Sequence, residues 1–270
     1  CTECGAPLSF QPGALSMVCQ FCGTENEIED SGQQLSPWGE KTGKGPEIKE
    51  LEYYAALNNA RDATEIEETQ VVKCPGCAAE VGLGEGTLAD DCPFCATPLA
   101  RAATQAHKHP KPQGVLPFAL DERESREKMK SWLSSLWFAP SALKKYAEAG
   151  RPLSGVYLPH YTYDADGDAD YSGQRGDAYN VTRTRTVMDL AAMEPYRTEY
   201  LAGFRAEVPA ISLEDGYQRA EQLMEQTLRR DIKFDIGGDA QQITSMNARY
   251  ANITFKHVLL PVWLAAYKYR

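Results

Sequence analysis

Residues Cys74–Cys95, CPGCAAEVGLGEGTLADDCPFC, contain two Cys-x-x-Cys pairs separated by fourteen residues. The start of the chain, Cys1–Cys22, repeats this pattern as CTECGAPLSFQPGALSMVCQFC, and the two segments align without a gap. All four cysteines coincide in this alignment, as do Ala6 with Ala79, Gly13 with Gly86, Leu15 with Leu88 and Phe21 with Phe94. The chain therefore uses one cysteine module twice, and its 8 cysteines all lie in the two copies.

The spacing of each module is that of a four-cysteine zinc site, in which two tight turns bring four thiolates around one ion. Disulfides are disfavoured because no secretion signal is present, and a thioredoxin-like redox centre needs a single cysteine pair after a strand. Iron in a rubredoxin-like site remains the alternative metal. The sequence thus predicts two ions, one held by Cys1, Cys4, Cys19 and Cys22, the other by Cys74, Cys77, Cys92 and Cys95.

These sites are predicted to be structural. A ribbon of about 25 residues cannot bury enough apolar surface to stay folded, whereas zinc binding contributes roughly 10–16 kcal/mol to folding. A catalytic zinc keeps a position open for water, and four cysteines fill that position. Small residues are expected in the turns, where backbone amides approach the sulfurs: Gly5, Gly23, Gly76 and Ala78.

The charge of the chain is concentrated in its first part. The formal net charge is -10, and residues 1–112 hold 8 Lys and Arg against 17 Asp and Glu. Four thiolates around a divalent ion add about two further negative charges per module. Nucleic acid is therefore a disfavoured partner, because phosphate binding needs a basic surface.

The chain contains no run of about 18 apolar residues and no amino-terminal signal. We therefore expect a cytoplasmic protein. The first residue is Cys1 and not methionine, which leads us to expect a longer protein in which any membrane anchor lies outside these 270 residues.

The predicted fold class is α+β, with antiparallel strands in the larger domain. Asp121 and Glu124 predict a capped helix reaching about Trp137, and Ser141 opens another that Gly150 ends. Ser212 and Gly237 bound the strongest helical pattern, with strands after it. Residues 155–181 are interpreted as a hairpin around the turn ADGDAD, and GVLPFAL at 114–120 as a strand. The predicted organisation is a zinc ribbon at 1–28, an acidic linker with a short helix at 29–70, a second ribbon at 71–101, a proline-containing linker at 102–113 and the α+β domain at 114–270.

The remaining motifs do not argue for an enzyme. A phosphate loop of the G-x₄-G-K-[ST] type and a G-x-S-x-G elbow are both missing from the sequence. The acidic run Asp164–Asp170 is not an EF-hand, since Arg175 stands where the closing Glu belongs. His160 and His257 are interpreted as packed residues, and TRTRT at 182–186 as an exposed strand face. We therefore predict a protein without catalytic residues.

Beyond these motifs, the chain resembles a family of bacterial proteins with transcription-factor-IIB-type zinc ribbons. The resemblance covers nearly the whole chain, in VVKCPGCAAE, CPFCATPL, KPQGVLPFAL, LWFAPSALKKYA, GVYLPHYTYDADGDADYSGQRGD, YLAGFRAEV and TFKHVLLPVWLAAYKYR. Members are often named primosomal protein N′ or replication factor Y helicase, after the similar zinc region of that helicase. Family members extend past Arg270, and they hold a longer stretch where this chain passes from Val187 to Met188.

The resemblance implies a partner and a location. Relatives are encoded near SPFH-domain (flotillin-like) or phage-shock-type proteins. We therefore expect a zinc-binding scaffold or adaptor that binds such a protein at the inner face of the cell membrane. The alternative is a nucleic-acid-binding protein of replication or transcription, without helicase activity in this chain.

Overall fold

The structure is a computed structural model, which describes residues 1–14, 16–28, 34–35, 41–42, 48–58, 66–82, 89–100, 104–136, 153–176 and 193–265. The helix predicted over 141–150, the TRTRT stretch and the Val187–Met188 junction lie outside the described residues. Within the described ranges, no helix is long and apolar enough to cross a membrane.

The described residues form fifteen strands and three α-helices. The strands are β1 (Ser16–Val18), β2 (Glu25–Glu27), β3 (Gln34–Leu35), β4 (Lys41–Thr42), β5 (Leu51–Glu52), β6 (Ile66–Lys73), β7 (Glu80–Gly82), β8 (Ala89–Asp91), β9 (Pro98–Ala100), β10 (Thr104–Pro110), β11 (Gly114–Val115), β12 (Ser154–Gly176), β13 (Glu194–Pro195), β14 (Arg205–Ala206) and β15 (Ala240–Leu264). The helices are α1 (Tyr53–Leu57), α2 (Glu122–Ser135) and α3 (Leu213–Ile236), with a 3₁₀ turn at Thr198–Leu201. The predicted α+β class with antiparallel strands is confirmed.

A long antiparallel ribbon of β12 and β15 dominates the fold. The two strands pair from Ser154 opposite Leu264 to Gly176 opposite Ala240, with β-bulges after Asp164 and after Ser172. The hairpin predicted for residues 155–181 is therefore wrong, because ADGDAD lies inside one continuous strand. Asp and Gly are turn formers, but here the aspartates alternate with small residues along the strand, and the pleat sends acidic and small side chains to opposite faces.

Helix α3 packs over one end of this ribbon, and the other end of the ribbon belongs to a six-stranded sheet. Ser212 caps the helix, accepting a hydrogen bond from the Asp215 amide at 3.0 Å, and Gly237 ends it at φ +70°. Both predicted boundaries are confirmed. The 24-residue helix is about 36 Å long, close to the span of about 33 Å between Tyr163 and Gly173 along β12. Its first turn contacts Tyr163 and its last contacts Gly173.

The other end of the ribbon lies in a six-stranded sheet of order β13-β11-β15-β12-β14, with β5 also paired to β15. β11 runs parallel to β15 and β14 parallel to β12, while the other pairs are antiparallel. The strand predicted over 114–120 is limited to Gly114–Val115. Helix α2 has the predicted capping box of Asp121 and Glu124, and it ends at Ser135.

Both predicted linkers contribute to packed structure. Leu51, Tyr53 and Ala56, from the segment predicted as an acidic linker, pack in one buried cluster with Ile253 and Phe255. In the second predicted linker, residues 104–110 form strand β10, which pairs along its whole length with β6. β6 in turn pairs with β7, giving a three-stranded sheet. The short helix predicted within residues 29–70 is present as α1. The linker predicted at 102–113 is corrected, because proline composition is local, whereas strand pairing depends on distant residues.

Candidate metal centres

The eight cysteine sulfurs lie in two groups of four, and within each group all sulfurs lie within 4.8 Å of one another. In the first group, the Sγ atoms of Cys1 and Cys22 are 3.5 Å apart, and those of Cys4 and Cys19 are 3.6 Å apart. The corresponding distances are 3.5 Å for Cys74 and Cys95, and 3.6 Å for Cys77 and Cys92. Four thiolates around a zinc-sized ion at 2.3 Å would be about 3.8 Å apart. All eight thiols are free, so each group can hold one metal ion.

Left-handed residues shape the turns that hold these sulfurs. The residue after each cysteine pair has positive φ, and its amide donates to the carbonyl of the first cysteine of the pair. These residues are Gly5 (φ 68°, 3.0 Å), Gly23 (78°, 2.9 Å), Ala78 (63°, 2.8 Å) and Ala96 (53°, 2.8 Å). Ala96 was not predicted, although it aligns with Gly23. Gly76 has another role, since a side chain there would meet the Thr97 hydroxyl and the Cys95 sulfur.

A threonine accompanies the last cysteine of each module. Thr24 Oγ1 lies 3.2 Å from Cys22 Sγ, and Thr97 Oγ1 lies 3.1 Å from Cys95 Sγ. A hydrogen bond donated by each threonine hydroxyl to the neighbouring thiolate lowers the pKa of Cys22 and of Cys95 to about 6, which favours the metal-binding form. The sequence analysis missed these residues, although their identity at the same place in the two modules was a usable signal.

The two modules pack differently. In the first module (residues 1–28), Phe10, Met17 and Ile28 join a buried cluster with residues of the six-stranded sheet and its flanking segments: Val115, Phe118, Tyr157 and Leu259. The Phe10 amide donates to the Ala202 carbonyl at 2.8 Å. The second module (residues 71–101) instead has its own small core of Val72, Val81 and Leu99 around Cys74 and Cys92. The first module therefore shares part of its core with the six-stranded sheet.

The aligned phenylalanines show this difference directly. Phe94 packs against the core of the second module, whereas the side chain of Phe21 is 77% exposed beside the metal-binding turn. Val18, on the other side of Cys19, is 60% exposed. The first module therefore presents apolar surface next to its metal site.

Histidines take no part in either site. In the described ranges, only the two cysteine groups bring three or more potential metal ligands together. His257 is buried, as predicted, whereas His160 is exposed, which corrects its interpretation as a packed residue. His107 and His109 lie in β10, and the His109 and His257 rings are 5.7 Å apart.

The acidic run on β12 forms a stripe on one face of the ribbon. Asp164, Asp166, Asp168 and Asp170 alternate with Ala165, Gly167 and Ala169, and the four acids are exposed. Residues of β15 pair with three of them: Asn252 Nδ2 donates to Asp166 at 2.7 Å, Arg249 Nη1 contacts Asp170 at 2.8 Å, and Lys256 Nζ lies 3.5 Å from Asp164. The stripe is thus a solvated strand face with cross-strand partners.

The fold and the two sites define an α+β protein with paired four-cysteine metal-binding modules. The chain is similar to the uncharacterized protein YdjG of Bacillus subtilis (strain 168), with 24% identity over 207 residues. The match covers 60% of this chain and 58% of YdjG, so the chain spans less than two thirds of that relative. No protein-family model matches the chain, and no solved structure matches it.

Proposed function

We propose that the protein is a non-enzymatic adaptor that binds two zinc ions structurally and uses the surface of its first module to bind another protein. The observation that carries the proposal is the combination, in residues 1–28, of a complete four-cysteine site with the exposed Phe21 ring beside it. Four thiolates satisfy the tetrahedral preference of zinc and leave no position for a substrate or water. The metal then supplies folding energy to a module too small to fold without it.

Charge supports a protein partner over a nucleic acid. Residues 1–28 contain three glutamates, Glu3, Glu25 and Glu27, and no lysine or arginine. Four thiolates with one Zn²⁺ add about two negative charges beside Phe21. A phosphate backbone would be repelled by this surface. A protein surface with an apolar pocket and a basic rim would complement it, since aromatic side chains are the usual anchors of protein interfaces.

The resemblance of the sequence to bacterial zinc-ribbon proteins supports the partner class. On that basis the adaptor binds an SPFH-type or phage-shock-type protein, and it reaches the inner face of the membrane through this partner. Zinc is the proposed metal, with iron as the chemical alternative for the same four thiolates.

The proposal can be tested with the full chain co-expressed with an SPFH-domain protein from the same genome. A complex that co-elutes in size-exclusion chromatography, with two zinc ions per chain by elemental analysis, is the expected result. The Phe21→Ser variant should weaken the complex at least about tenfold, as expected for a hot-spot aromatic residue. Phe234→Ser is the matched control, because Phe234 is 78% exposed but lies on α3. Failure to form any complex, together with DNA binding that weakens steeply with salt, would favour the nucleic-acid alternative.

A further inference from the structure

A cavity of about 560 Å³ lies where the first module, the three-stranded sheet and the six-stranded sheet meet. Its wall includes Leu8 from the first module, Thr69 from β6 and His109 from β10, together with residues that follow β14. Small-molecule sites typically occupy about 300–1,000 Å³ and are mostly apolar, with a few polar groups that orient the ligand. Leu201, Phe204 and Leu259 supply apolar wall of this kind.

One polar group in this wall is an unpaired carboxylate. Glu207 is held by its backbone, which bridges to Val81 and donates from its amide to the Tyr157 carbonyl at 2.9 Å. Its side chain is half-buried, and within the described part of the chain it has no hydrogen bond or ion pair. Burial, and next to it the charge of Glu80, raise the pKa of Glu207. A half-buried carboxylate without a cation is unfavourable, and a bound cation would offset that cost.

The other polar groups of the wall include a second carboxylate, two histidines, three hydroxyls and one arginine. Glu67 contributes that carboxylate. The His257 Nδ1 atom lies 2.7 Å from the Pro110 carbonyl oxygen, which only accepts, so Nδ1 carries the hydrogen. Burial lowers the pKa of His257 to about 4, so the ring is neutral at pH 7 and adds no positive charge beside the cavity. Arg205 also borders the cavity, where its Nη1 donates to the Asp91 carbonyl at 2.9 Å.

We propose that this cavity binds a primary ammonium group on an apolar body, with the ammonium at Glu207 and the body against Leu201, Phe204 and Leu259. The ammonium group belongs either to a free amine or to a lysine side chain of another protein. The proposal is independent of the adaptor function, because the cavity is separate from the Phe21 surface.

Isothermal titration calorimetry on the zinc-loaded full chain tests the proposal. The probes are 2-phenylethylammonium, 2-phenylethanol and 3-phenylpropanoate, which share a ring and differ in charge. At pH 8 the ammonium probe should bind at least about tenfold more tightly than the alcohol, because only the ammonium can form a charge-assisted hydrogen bond with the Glu207 carboxylate. The carboxylate probe should bind most weakly. Equal affinities for the three probes would overturn the proposal.

Substitution of Glu207 tests whether the ammonium group binds at this carboxylate. Glu207→Gln should abolish the preference for the ammonium over the alcohol while zinc content and circular dichroism stay unchanged. Glu127→Gln, an exposed carboxylate on α2, is the matched control and should preserve the preference. A preference that survives Glu207→Gln would overturn the proposal. N-acetyl-lysine methylamide distinguishes the sources: tighter binding than 2-phenylethylammonium indicates a lysine side chain, and weaker binding indicates a free amine.

Discussion

Tyr163 and Gly216 are in direct contact where helix α3 packs against strand β12. Tyr163 Oη donates a hydrogen bond to the Leu213 carbonyl at 2.8 Å, and Gly216 packs directly against the same hydroxyl, where a Cβ atom would clash. A glycine in the first turns of the longest described helix therefore has a steric reason, which outweighs the helix propensity of about 1 kcal/mol that alanine would add.

Gly216→Ala should lower the free energy of unfolding by about 1 kcal/mol, because the clash exceeds the gain in helix propensity. In a Tyr163→Phe background the hydroxyl is gone, and the same substitution should be neutral or stabilising. Urea denaturation of the wild type, the two single variants and the double variant measures the coupling between the two residues. Gly176→Ala is the control without a steric conflict, since the nearest atom would be 3.6 Å from the new Cβ. Additive effects of the two substitutions would refute the contact.

Exchanging glycine and alanine in the turns should change the metal affinity of the two modules in opposite directions. Ala96→Gly should strengthen metal binding by the second module, because a non-glycine residue at φ 53° carries strain of roughly 1 kcal/mol. Gly23→Ala should weaken metal binding by the first module by a similar amount, since Gly23 has φ 78°. Competition with a chromophoric chelator measures both. The same sign for the two substitutions would contradict the strain argument.

Loss of either metal should affect the fold unequally. Cys19→Ser and Cys92→Ser should each reduce the metal content from two ions to one. Cys19→Ser should also lower the Tm for unfolding of the six-stranded sheet by more than about 4 °C, because Phe10, Met17 and Ile28 pack against this sheet. Cys92→Ser should loosen mainly its own module. Elemental analysis and calorimetry test this, and equal Tm losses would show that the modules are coupled to the sheet alike.

Acid should destabilise the fold through His257. Its pKa is near 4 in the folded chain and about 6.5 when unfolded. The unfolded state therefore binds the proton first as pH falls, and stability declines between about pH 6.5 and pH 4 by at most about 1.4 kcal/mol per pH unit. His257→Gln should flatten this slope in urea denaturation at pH 7.5, 6.5 and 5.5. A wild-type slope in His257→Gln would contradict the assignment.

Short-range patterns predicted the sites and the helix ends well. The ungapped repeat was enough to group the cysteines correctly, because each Cys-x-x-Cys pair lies in a turn of a few residues whose geometry is local. The two ends of α3, at Ser212 and Gly237, could be predicted for the same reason. Composition failed where pairing is distant: Asp164–Asp170 has turn residues, but its partners on β15 lie about 80 residues later in the chain.

The sequence by itself determined two four-cysteine modules, an acidic amino-terminal part and the boundaries of α3, since each depends on neighbours along the chain. Only the tertiary structure decided that β12 and β15 form one long ribbon and that residues 104–110 are a strand. It also decided that Phe21 is exposed while its counterpart Phe94 is packed, and that Glu207 borders a cavity. Aligned residues of the two modules differ in this way because burial depends on which distant surface each module meets.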